Sequence, residues 1–211
     1  MDIYKIITVN DLIKRTAVTD LYKGKVGFVY ADNKSHLFEE IKDTNIDAYY
    51  FLLVQEGTAH VEIDMCTMDM HKKEIFLLTP FSAICVKNIS ENFSVLCLFM
   101  ERALFEQIPN YSRFYGLLNQ TCISKIVLEN QSFRQIENTF FVFASYINRK
   151  HTFQEGLTLV LSDFLLLQII EELYDLKSDA PMHIRHKDEL LQQFFNLLSI
   201  ITKNNTEYNL C

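Results

Sequence analysis

The chain has 211 residues, 49% hydrophobic and 22% charged, which is enough apolar material for one two-layer domain or two small ones. A formal net charge of −7, with no cluster of Lys or Arg, repels phosphate backbones and argues against nucleic-acid binding by this segment itself. With 5 Gly and no G-x-G-x-x-G, P-loop, G-x-S-x-G or H-E-x-x-H pattern, phosphate-cradling loops and the familiar hydrolase and zinc-protease motifs are excluded.

The first residues, Met1-Asp2-Ile3-Tyr4-Lys5, lack the basic and apolar regions of a signal peptide. The cysteines, Cys66, Cys85, Cys97, Cys122 and Cys211, are odd in number and none is spaced C-x-x-C. They point to a reducing, cytoplasmic compartment and to no structural zinc. Strands are predicted at 26–30, 49–55, 59–65, 68–72, 74–78, 82–87 and 93–100, with turn residues between them. Many short strands at this spacing predict a sandwich or small barrel. In the hairpin around 59–72, a turn at Met65-Cys66 places Val61, Ile63, Met68 and Met70 on one face and His60, Glu62, Asp69 and His71 on the other. The second face is read as solvated and ion-paired rather than as a metal site. Glu39-Glu40 is likewise read as solvated, not as an acid/base pair.

The period of the apolar residues changes near residue 101, from that of strands to that of helices. A helix over 131–149 carries Phe133, Ile136, Phe140, Phe143 and Ile147 at three- and four-residue steps. A second, over 153–176, is apolar on nearly every side. Its greasiest stretch, 157–170, is shorter than the roughly 20 residues of a spanning helix and contains Asp163 and Gln168, so no membrane is implied. So much apolar surface needs covering on several faces. The strands and the first helix cover two, and a second copy of the chain is expected to cover the rest through Leu159, Leu166, Ile170 and Leu173. Ser178-Asp179-Ala180-Pro181 reads as a turn before a third helix, with Leu190, Phe194, Leu197 and Ile201 in its stripe and a polar tail after it. His183 and His186 are read as solvated, and Cys122 has no basic neighbour in sequence to make it a nucleophile.

The stretch from Tyr49 to Asp64, reading YYFLLVQEGTAHVEID, resembles the central hairpin of a cupin-like barrel, and Ile75-Phe76-Leu77-Leu78-Thr79-Pro80 its next strand. Residues 93–100 followed by Glu101-Arg102-Ala103-Leu104-Phe105 look like the last strand entering the first helix. With the long helices and Ile184-Arg185-His186-Lys187-Asp188-Glu189-Leu190, the order is similar to the N-terminal half of AraC-type transcription regulators. The resemblance implies an α+β fold: a cupin-like antiparallel β-barrel or jelly roll over 1–101, a helical dimerisation and linker layer over 102–203, and a tail over 204–211. It implies a homodimer that senses a small-molecule effector and touches DNA only through a C-terminal domain not present in this chain. In that family the effector lies against the central and last two strands, which here carry Tyr50, Leu52, Cys85, Ser94 and Leu96. Register is open, since a one-residue slip turns the opposite face inward, and so is a barrel filled by plain core residues. An apolar lining favours an apolar effector. The His-x-His and Glu of metal-binding cupins are unmatched, the region holding Ser35-His36-Leu37, so no metal, cofactor or catalytic residue is expected. A cupin-fold metal enzyme and a ligand-free dimerisation module are the alternatives.

Overall fold

The computed structural model describes residues 5–42, 44–121, 125–147 and 152–179. In chain order the elements are β1 (Lys5–Ile7), α1 (Val9–Arg15), β2 (Thr19–Tyr22), β3 (Val26–Asp32), α2 (Leu37–Glu40), β4 (Thr44–Ile46), β5 (Ala48–Glu56), β6 (Thr58–Ile63), β7 (Cys66–His71), β8 (Glu74–Leu78), β9 (Ile84–Ile89), β10 (Ser94–Glu101), α3 (Arg102–Phe105), α4 (Tyr111–Thr121), β11 (Lys125–Val127), α5 (Asn130–Ile147) and α6 (Gln154–Asp179). All seven predicted strands are present, with ends moved by one or two residues. The predicted third helix and the polar tail lie outside the described residues, as do Cys122, His183, His186 and Cys211.

Six strands form one sheet in the order β11-β8-β5-β10-β3-β2, and β7-β6-β9 form a second. Every pairing within both is antiparallel. The chain passes from one sheet to the other at nearly every turn after β5. The first passage is at Gly57, whose φ of +71° suits glycine. A Cβ there would lie 2.7 Å from the backbone of Phe93, so no other residue fits without moving the strand. The β6–β7 turn uses Asp64 and Met65, both at positive φ, as a two-residue hairpin of this kind requires. It falls one residue earlier than predicted, but the two faces of the hairpin are those expected, with Val61 opposite Met68 and His60 opposite Asp69.

Two apolar cores share the large sheet. One lies between the sheets and contains Tyr50, Leu52, Val61, Val95, Cys97 and Phe99. The other lies between the outer face of the large sheet and the helices, and joins Phe51, Leu53, Leu96 and Leu98 to Phe114, Phe140, Leu166 and Ile170. Strands β5 and β10 are therefore buried on both faces, which explains their continuous apolar runs. The helical layer begins with a short segment that the periodicity left unread. There α4 buries Phe114 and Leu117 against α6 and the sheet, and β11 extends the sheet beside β8.

Helix α6 is tied down along its length. At its start the Gln154 amide donates to the Leu21 carbonyl at 2.9 Å, and the Tyr22 hydroxyl donates to Glu155 at 2.5 Å. In the middle, Asp163 accepts from the backbone and side-chain N–H of Asn110 at 3.0 and 2.9 Å. Thr158 and Ser162 are buried because each hydroxyl donates to the carbonyl four residues back, at 2.7 Å, needing no other partner. Among the described residues, no helix is long and apolar enough to cross a membrane.

Candidate functional site

The interior of the barrel is the first place a ligand would be sought. Side chains alternate along a strand, so β5 turns Tyr50 and Leu52 inward while β10 turns in Val95, Cys97 and Phe99. The Tyr50 hydroxyl donates to the Ser82 carbonyl at 2.5 Å, and its ring stacks on Phe99 with centroids 5.7 Å apart. Burial pushes the ionisation of Tyr50 and of the Cys97 thiol well above their ordinary values. The space left between these residues, Phe38 and Phe93 is about 10 Å³, with purely apolar walls. That is room for about one water molecule. The barrel is filled by its own side chains.

Of the five residues expected at the effector, Tyr50 and Leu52 line this space. The expectation for the other three is corrected. Leu96 faces the helices, in the outer core. Strand β10 is apolar on both faces, so its parity carried no signal, and Val95 and Cys97 occupy the inward positions assigned to Leu96. Ser94 is buried at the start of β10, beside an irregularity in the register with β5, and does not reach the interior. Cys85 points out of the smaller sheet, opposite Glu62 on β6, while its neighbours Ile84 and Val86 point in.

The expected dimer contacts are corrected as well. Leu166, Ile170 and Leu173 are at most 2% exposed, so a single chain already covers them, and Leu159 is partly buried against the same core. The covering comes from the sheet, α5 and the unforeseen α4. What α6 leaves open is a different stripe: Val160, Phe164, Leu167 and Tyr174, 66, 52, 40 and 42% exposed. Their steps of four, three and seven residues make a heptad-like seam. The signal that could have chosen between the two stripes is Thr158 and Ser162, small residues that let the helix approach the sheet, with the Ser162 hydroxyl 3.4 Å from the Met100 sulfur. Beside the seam a groove of about 480 Å³ runs between α5 and α6, floored by Val142, Leu161 and Phe164 and edged by Asn138 and Gln168. Thr139 bridges it by donating to the Gln168 side chain at 2.9 Å.

The polar face of the β6–β7 hairpin is engaged pairwise. His60 Nδ1 lies 2.6 Å from Asp69, and this hydrogen bond, reinforced by the charges of His60, His71 and Lys125, holds the Asp69 carboxyl below the usual carboxylate range. Glu74, 5% exposed, accepts from the His71 backbone at 2.7 Å and from the Lys125 ammonium at 3.0 Å. Among the described residues no three His, Cys, Asp or Glu side chains come together in a way that could hold a metal ion.

No protein-family model matches the chain, and no curated protein matches it by sequence. Solved structures do resemble it. The AraC-like transcriptional activator CuxR superposes with a TM-score of 0.42 at 11% identity, over 71% of this chain and 49% of that one. An apo structure of ToxT from Vibrio cholerae gives 0.44 at 13% identity, over 71% and 57%. The cupin domain of Cnp3 from Schizosaccharomyces pombe gives 0.31 at 13% identity, over 46% and 69%. The chain thus spans about half the length of the two regulators.

Proposed function

We propose that this chain is a non-catalytic regulatory domain of the AraC type, which pairs with a second copy through α6 and α5 and senses a small apolar effector. DNA would be contacted by a separate C-terminal domain. The observation that carries this reading is the exposed seam of Val160, Phe164, Leu167 and Tyr174 beside the α5/α6 groove. Large apolar side chains aligned at coiled-coil spacing on one surface are what a pairing helix presents, and two copies related by a two-fold axis would bury them reciprocally. The helical layer, not the barrel, is the place where the chain meets its partner.

Light scattering on the intact chain tests the pairing. The wild type should have the mass of a dimer, and Phe164→Glu the mass of a monomer with an unchanged circular dichroism spectrum. A monomeric wild type, or a Phe164→Glu chain that stays dimeric, overturns it. The sensing half of the proposal rests on the apolar interior around Tyr50 and Leu52. Because that interior is filled, an effector enters only by displacing side chains, and its binding energy is reduced by that cost. A thermal-shift screen of apolar compounds should yield hits that perturb the methyl resonances of Leu52 and Val61. Hits that perturb only the surface, or no hits, refute effector sensing in the barrel.

A further inference from the structure

The groove between α5 and α6 has an apolar floor of Val142, Leu161 and Phe164. Val142 and Phe164 are 38 and 52% exposed, so the described residues leave this floor uncovered. On α6 the groove is lined by Leu161, Phe164, Gln168 and Glu171, at steps of three, four and three residues. A helix turns by about 100° per residue, so Leu161 and Gln168 stand beside the seam of Val160, Leu167 and Tyr174 rather than on it. The seam can face a second copy while the groove still lacks an occupant.

The sequence supplies one. Residues 180–211 follow α6 directly and lie outside the described residues. Pro181 has no N–H for a carbonyl four residues back and disfavours helical backbone at Ala180, so no unbroken helix is expected through this point. Beyond it, Leu190, Phe194, Leu197 and Ile201 recur at steps of four, three and four, the stripe of an amphipathic helix. Two helices joined by a short turn pack antiparallel. A residue some way before the turn then meets the residue equally far beyond it. Counted from Ala180-Pro181, Leu161 meets Ile201, Phe164 meets Leu197, Gln168 meets Phe194 and Glu171 meets Leu190. All four groove positions of α6 thus fall on the four stripe positions in a single register. In the same count Lys187 comes opposite Asp175 and within about a turn of Glu171, basic against acidic.

We propose that residues 187–201 fold back as a helix into the α5/α6 groove of their own chain, with Leu197 and Ile201 over Phe164 and Leu161 and against Val142. The docking leaves Val160, Leu167 and Tyr174 open to a second copy, and it stands whether or not the chain pairs or regulates transcription.

Methyl NMR on the intact chain, labelled at Ile, Leu and Val, tests the proposal. NOEs should run from Leu197 and Ile201 to Leu161 and Val142. An isotope-filtered spectrum of labelled chain mixed with unlabelled chain should lack them, since the contacts lie within one copy. Leu197→Asp, and Val142→Glu on the opposite wall, should each raise amide exchange over residues 190–201 at least about tenfold, through the loss of a buried aliphatic contact. Exchange in β5 and β10 should stay unchanged. NOEs to Val160 or Leu167 instead, the same NOEs in the filtered spectrum, no NOEs to the groove, or wild-type exchange over 190–201 in both variants would each overturn it.

Discussion

The hydroxyl of Tyr22, together with the Gln154 amide on Leu21, fastens the helical layer to the edge of the sheet. It donates to Glu155, and that hydrogen bond first, then burial and the negative charge nearby, push the ionisation of Tyr22 up to about 12. The folded state therefore holds this proton more tightly than the unfolded chain, whose tyrosines ionise near 10. The stabilisation is complete below pH 10 and is lost as the pH rises through about 12. At neutral pH Tyr22→Phe should cost about 1 kcal/mol, and in denaturant titrations the difference from wild type should shrink steadily above pH 10. A difference that stays constant with pH would show that the bond carries no proton linkage. At this scale the sequence was legible where side-chain parity was clean. The two faces of the β6–β7 hairpin followed from simple alternation, and His60 and Asp69 proved to be neighbours. The turn itself was misplaced by one residue because Met65, a poor turn former, occupies a left-handed position where glycine or asparagine is usual.

Among the elements, α6 shows why apolarity alone does not say what covers a helix. Two apolar stripes compete on it. One, with Leu166 and Leu173, is sealed against the sheet and its neighbouring helices; the other, with Phe164 and Leu167, is open. Leu166→Ala should consequently destabilise the chain by about 2–5 kcal/mol, as for other buried leucines, visible as a lower midpoint in urea. A midpoint within error of wild type would mean that the side chain is not in the core. The stripe inside was misjudged because α4 went unseen: it is short, Pro109 and Asn110 precede it and Gly116 lies within it, leaving only Phe114, Leu117 and Leu118 as a trace of its buried face. For β10 the difficulty was the opposite. A strand apolar on both sides carries no parity, so Leu96 and Cys97 could not be told apart until the register with β3 and β5 was known.

For the molecule as a whole, the change of period near residue 101 falls where β10 gives way to α3, with most strands before it and the long helices after it. What the one-dimensional pattern concealed is that the two halves are not separate bodies. Strand β11, from the second half, completes the sheet of the first, and the outer core is built from both. The large sheet thus depends on residues made much later for the burial of one of its faces. On a ribosome adding roughly 5–20 residues per second, β5 and β10 emerge several seconds before Leu166 and Ile170 arrive to cover Phe51 and Leu98. During that interval the nascent chain displays a broad greasy β surface, a ready template for self-association. Nascent chains that end between β10 and α6 should therefore aggregate more readily than the completed chain.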